Sequence, residues 1–211
     1  MLDIQWFGHS MWRITDSKVT IITDPFTDIG YKMPKNLEAD IVLSSHDHFD
    51  HNNISLIKGN PEVVNTEGSF SIKGIDIKTF QIWHDKKEGA DRGKNLLMKF
   101  TIDGKTILHC GDIGHKLNQE TAAKIGNIDI IFIPVGGYYT IDAKEAKETI
   151  ELLKPTIVFP MHYKTEVLDF PIAKKDEFLK IANNVTELNS NSIAITDNDF
   201  KARKTIFLNY E

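Results

Sequence analysis

Apolar and polar positions alternate through the first half of the chain in short runs separated by turn residues. The runs IQWFGHSMWRIT (4–15), KVTIITDP (18–25) and DIVLSSH (40–46) are rich in branched and aromatic residues and end in polar or proline punctuation, so they read as three strands. NNISLIKG (52–59) has the spacing of a short helix, and PEVVNT (61–66) resumes a strand, which makes a βαβ step. SFSIKGIDIKTFQIWH (69–84) alternates across a Gly turn as a hairpin does, and NLLMKFTIDGKTILHCGD (95–112) repeats the pattern around Asp103-Gly104.

The second half carries more helix. NQETAAKIG (118–126), DAKEAKETIELLK (142–154) and AKKDEFLKIANN (173–184) place apolar residues at helical spacing. Between them IDIIFIPVGG (128–137) and TIVFPMH (156–162) are near-continuous apolar runs suited to buried strands, and SIAIT and TIFLNY close the chain as edge-type strands. Strands early and helices late favour an α/β fold with two mixed sheets packed face to face and helices outside, a four-layer α/β/β/α sandwich. The 211 residues, 41% of them hydrophobic, suit one domain spanning residues 1–211.

The chemistry concentrates in SSHDHFDHNN (44–53), where His46, His48, Asp50 and His51 share one short loop. Three imidazoles and a carboxylate this close repel when protonated and are costly to desolvate unpaired, so a bound cation is the economical explanation. Alternate positions put His46 and His48 on one side of an extended segment, while Asp50 and His51 face a second point in space, which suits two metals. Other polar residues stand where a strand breaks into a loop: His9, His84, Asp112 and His162. Strand ends collect ligands in layered α/β folds, so these positions imply one shared site.

With those residues in place, the chain resembles the metallo-β-lactamase superfamily. The HxHxDH motif stands at 46–51, and later ligands of the family match His84, Asp112 in CGD and His162 in PMHY. The resemblance implies a first metal on His46, His48 and His84, a second on Asp50, His51 and His162, and Asp112 between them. WFGHS, TDP, CGD, PVGGYYTIDAKEA and PMHYKT are further similar to the branch containing ascorbate-phosphate lactonases and uncharacterised metal-dependent hydrolases. Two divalent ions about 3.5–4 Å apart would yield a metal-bound hydroxide near neutral pH, with one ion polarising the scissile oxygen. Asp50 is then the residue expected to orient the nucleophile and carry a proton. Imidazole and carboxylate ligands suit zinc first, and manganese, iron or nickel are accepted by the same set.

The expected reaction is hydrolysis of an ester, lactone or phosphodiester bond in a small metabolite. An iron-dependent oxidoreductase on the same scaffold and a non-catalytic metal-binding or sensing module are the alternatives. Asp47 reads as a residue beside the ligands rather than one of them, and Asp24 as the organiser of a turn near the site. Expected substrate contacts are His9, Tyr139, Tyr163 and Lys164, with a hydrogen bond to a backbone carbonyl the alternative for His9. The polar segment 85–95 reads as a lid or as plain solvated chain.

Charge and cysteine content narrow the partners. A net charge of -5 gives no basic footprint for a phosphate backbone, so a small-molecule substrate is expected and nucleic acid is not. Cys110, the single cysteine, excludes a disulfide framework and points to the cytoplasm. No apolar run approaches the roughly eighteen residues of a membrane span. Edge strands leave a homo-oligomer open.

Overall fold

Trp6 and Trp12 pair across two antiparallel strands, β1 (Leu2–Trp6) and β2 (Trp12–Thr15). The run 4–15, expected as one strand, is therefore a hairpin. In this computed structural model, which describes residues 1–210, Phe7 N–H bonds to Met11 O and Met11 N–H to Gly8 O, while Gly8 (φ 101°) and His9 (φ 51°) take left-handed conformations. The left-handed pair reverses the chain within the five residues between the strands.

β3 (Thr20–Thr23), β4 (Ile41–Leu43) and β5 (Glu62–Val64) continue this sheet, and β13 (Ser192–Ile195) closes its other side, in the order β13-β1-β2-β3-β4-β5. Pairing is antiparallel from β13 through β3 and parallel from β3 through β5. The second sheet holds β6 (Gly68–Ile72), β7 (Ile75–Trp83), β8 (Lys94–Ile102), β9 (Lys105–His109), β10 (Ile130–Pro134), β11 (Ile157–Met161), β12 (Val185–Glu187) and β14 (Lys204–Phe207). Its order is β12-β14-β11-β10-β9-β8-β7-β6, antiparallel from β6 to β9 and parallel from β9 to β12. The Lys73-Gly74 and Asp103-Gly104 turns join β6 to β7 and β8 to β9, as the alternation predicts.

The inner faces of both sheets make one apolar cluster, with Ile4, Trp12, Ile21 and Leu43 from the first and Phe100, Ile107, Phe132 and Phe159 from the second. Trp12 reaches Phe132, ring centroids 4.6 Å apart, across the sandwich. Period-2 alternation sends Ile22 and Val42 to the opposite face, where Phe26, Tyr31, Leu37, Leu168 and Ile172 cover them. Loops make that outer layer. Among the described residues its one regular element is a 3-10 turn at Ile54–Leu56, in place of the helix expected from NNISLIKG, and no side-chain hydrogen bond caps it.

α1 (Gln119–Ile125) and α2 (Ala143–Leu153) follow β9 and β10 as expected. Asp142 and Glu145 form a reciprocal capping box that starts α2. The helix expected over 173–184 shrinks to α3 (Asp176–Leu179): its start lacks a side-chain cap, and Asn184 (φ 48°) turns the chain into β12. β12, which the apolar pattern does not announce, is exposed throughout and takes the edge. That position moves β14 inside the sheet, correcting the edge placement of TIFLNY. Among the described residues, no helix is long and apolar enough to cross a membrane.

Candidate metal centre

Strand direction gathers the site. β1, β3 and β4 run the same way in the first sheet, and β7, β9, β10 and β11 run the same way in the second. Their C-terminal ends deliver His9, Asp24, the loop 44–51, His84, Asp112 and His162 to one end of the sandwich. His9 (φ 51°), Asp24 (φ 41°) and His162 (φ 52°) sit in left-handed conformations at these strand ends. Such strain costs about 1 kcal/mol or more per residue and is characteristic of functional loops.

Ligand-type atoms fall into three groups, each within 4.8 Å: His46 with His48 and His84; His46 with His51 and Asp112; and His9 with Asp50, His51 and His162. Asp112 lies between its neighbours, with Oδ1 at 3.3 Å from His51 Nε2 and Oδ2 at 3.3 Å from His84 Nε2 and 3.1 Å from His162 Nε2. His9 enters deeper than a substrate contact would. Its Nε2 is 3.3 Å from Asp50 Oδ2, and its ring centroid is 4.0 Å from that of His162.

A buried layer behind these groups holds their orientation. Asp24 accepts hydrogen bonds from Ser45 N–H (2.7 Å), Ser45 Oγ (2.8 Å) and His51 Nδ1 (2.9 Å). Asn95 donates to Cys110 O and accepts from Asp112 N–H, which pins the CGD turn. Gly111 is required there, because a Cβ would come 2.3 Å from Asn95 Oδ1 and 2.4 Å from Ser45 Cβ. Sequence reading placed Asp24 near the site but missed Ser45 and Asn95. The signal for Asn95 was an amide at the head of the apolar run NLLMKF, where the burial pattern leaves no room for an unpaired one.

Electrostatics are set by burial and by mutual proximity. Burial, followed by the charge of His162, lowers His9 to about 3, and burial with His51 lowers His46 to about 2. Burial opposes charge on His51 as well, but Asp112 and Asp24 overcome it and raise His51 well above its ordinary value. Burial would raise Asp50; the hydrogen bond with His9 and the charge of His51 hold its carboxyl below the usual range. Asp112 is likewise held well below, by His162 and His51 against burial.

Several buried polar atoms of these residues have no aligned hydrogen-bond partner: His46 Nε2, His51 Nε2, Asp112 Oδ1 and His162 Nε2, with Nδ1 of His9, His84 and His162. Each such atom costs about 1–3 kcal/mol if left unsatisfied. Imidazole lone pairs and carboxylate oxygens converging this way fit divalent cations.

The remaining candidates separate. Tyr139 lies at the mouth of the site, under the Arg92 guanidinium (5.3 Å from ring centroid to Cζ) and beside Phe170. Tyr163 and Lys164, which follow the left-handed His162, are placed elsewhere. The Tyr163 ring is buried against Trp6 (5.3 Å) and Phe207 (5.9 Å), and Lys164 Nζ donates to Phe170 O. Both line a groove of about 580 Å³ that contains none of the ligand-type residues. The segment 85–93 is tied down: the Asp85 carboxylate accepts from the backbone N–H groups of Lys87, Gly89, Asp91 and Arg92. Those bonds outweigh burial and hold Asp85 at about 2. Beside His46 and His48 lies a cavity of about 360 Å³, whose walls include Gln81, Arg92 and Lys94.

Two mixed sheets with a histidine and aspartate cluster at one end define a metallo-β-lactamase-type fold. Residues 3–162 match the family described as beta-lactamase superfamily domain, and the chain belongs to it. A metal-dependent hydrolase of Thermococcus onnurineus is 30% identical over 89% of this chain and 95% of its own length, and one of Thermoplasma acidophilum is 30% identical over 87% and 92%. A solved structure from Thermotoga maritima, described as a Zn-dependent hydrolase of the metallo-beta-lactamase superfamily, superposes with a TM-score of 0.84 at 36% identity, covering 99% of this chain and 98% of that one. Within the superfamily the chain thus falls among metal-dependent hydrolases.

Proposed function

We propose that the protein hydrolyses an ester, lactone or phosphodiester bond of a small metabolite at a centre for two divalent ions, zinc before manganese, iron or nickel. The observation that carries this reading is the sharing of His46 and His51 between overlapping ligand groups, with Asp112 in contact with His51, His84 and His162, which would leave places for two ions. His46, His48 and His84 would hold one ion, and Asp50, His51 and His162 the other. Bound there, such ions supply Lewis acidity and lower the pKa of a ligated water toward neutrality.

The chain itself supplies orientation and proton transfer. The Asp50 side chain is 12% exposed against 3% for Asp112, so Asp50 is the carboxylate that reaches the solvent side and would carry the proton, its Oδ2 facing His9. His9, 3.3 Å away and uncharged through burial, holds that oxygen in place. The net charge of -5 favours a small substrate over a nucleic acid, and the single buried Cys110 suits a cytoplasmic setting. Dialysis against a chelator, followed by return of zinc or manganese, tests the reading on a panel of esters, lactones and phosphodiesters. Hydrolysis that vanishes and returns with metal supports it, and hydrolysis indifferent to the chelator contradicts it.

A further inference from the structure

Three loops from distant parts of the chain raise an aromatic rim beside the ligand cluster, and a fourth brings Arg92 to it. Phe49, within the ligand loop itself, is 62% exposed, and Tyr138, in the loop after β10, is 67% exposed. Phe170 connects them: its ring centroid is 6.5 Å from that of Phe49, 6.0 Å from that of Tyr139 and 5.6 Å from that of His9. Tyr138 packs edge-on against Tyr139 at 4.7 Å, and the Arg92 guanidinium lies over Tyr139. Exposed aromatic side chains are unfavourable in water, and two on one rim above a polar cluster mark a surface made to be covered.

Charge says what covers it. Arg92 also lines the cavity beside His46 and His48, together with Lys94. Neither cation forms an ion pair with a carboxylate among the described residues. The Arg92 backbone is fixed by Asp85 and its head group by Tyr139, so a guanidinium is held at the junction of rim and cavity with its outer edge unpaired. We infer that the substrate is an amphipathic anion: a planar apolar group lies on the Phe49, Tyr138 and Phe170 rim while a carboxylate, sulfonate or phosphate oxygen is gripped by Arg92 and Lys94. This deepens the hydrolytic reading and rests on it for the bond broken between those two anchors.

Calorimetry on the metal-loaded protein tests the assignment with three probes: 2-naphthalenesulfonate, neutral 2-naphthalenemethanol and ring-free methanesulfonate. Sulfonates are weak metal ligands, so the centre itself contributes little. A charge-assisted hydrogen bond and a buried ring are each worth at least about tenfold in affinity, so the first probe binds tighter than either other by about that factor. Arg92→Gln removes the advantage over the alcohol and keeps the advantage over methanesulfonate. Phe49→Ser and, outside the ligand loop, Tyr138→Ser do the reverse. Metal content measured alongside confirms that the variants keep the centre. Equal binding of all three probes, or variants that leave the ratios unchanged, would overturn the inference. Metal-dependent turnover of the ester, lactone and phosphodiester panel keeps the two readings apart: probe discrimination with no such turnover supports the rim and contradicts the hydrolase, and turnover without discrimination does the opposite.

Discussion

Asp24 Oδ2 accepts a hydrogen bond from His51 Nδ1 at 2.9 Å, with both side chains sealed from solvent. An ionised carboxylate has no proton to give, so Nδ1 must carry the hydrogen, and Nε2 is turned toward Asp112 with its lone pair free when the ring is neutral. One carboxylate thereby sets both tautomer and aim of a ring that two ligand groups share. Replacing Asp24 by Asn keeps the shape but can present an amide hydrogen to Nδ1. Metal affinity of D24N, measured by competition with a chromophoric chelator, should fall about 10–100-fold, the usual cost of losing such a partner.

Gly111 predicts a different kind of loss. Gly111→Ala forces a Cβ within 2.4 Å of both Asn95 Oδ1 and Ser45 Cβ at a φ of +51°. The variant should be less stable by about 1–3 kcal/mol, read from the denaturant midpoint, and the loss should persist in chelator because its cause is steric.

The fold was legible where periodicity was long and unambiguous. The near-continuous apolar runs of β10 and β11, the Asp103-Gly104 hairpin and the capped helix α2 all appear at the positions their patterns give. Short elements depended on contacts that no local pattern carries. The turn at Phe7–Met11 exists because Gly8 and His9 adopt left-handed backbone, and β12 is a strand because β14 offers it a parallel edge. In the site, ligand-type residues stood out because few other roles suit four of them in one loop. Asn95 and Ser45 did not, since a single amide or hydroxyl acquires meaning only from the neighbour it bonds. Tyr163 and Lys164 read as substrate contacts through their closeness in sequence to His162, and the structure places them in another groove.

Asp85 predicts local rather than global effects. Its carboxylate gathers four backbone N–H groups of the segment 87–92, so Asp85→Ala removes the anchor that shapes the loop carrying Arg92. Hydrogen exchange and proteolytic cleavage should accelerate within 86–93 and stay unchanged in β10 and β11.

Bound ions should also stabilise the fold. At a free ion concentration about a hundred times Kd, each occupied site adds about 2.7 kcal/mol. For a chain of this size that is roughly 5–10 °C in Tm per site. Chelation should lower the melting temperature by that order, and zinc should restore it. His48→Ala, which removes a ligand from only one group, should keep part of the shift.

Metal stoichiometry tests the central claim most directly. Elemental analysis of the purified protein, saturated with zinc and freed of loosely held ions, should give about two ions per chain, falling to about one in His48→Ala, as the shared two-metal centre requires. At most one ion per chain in the wild type, unchanged in His48→Ala, would contradict a two-metal centre.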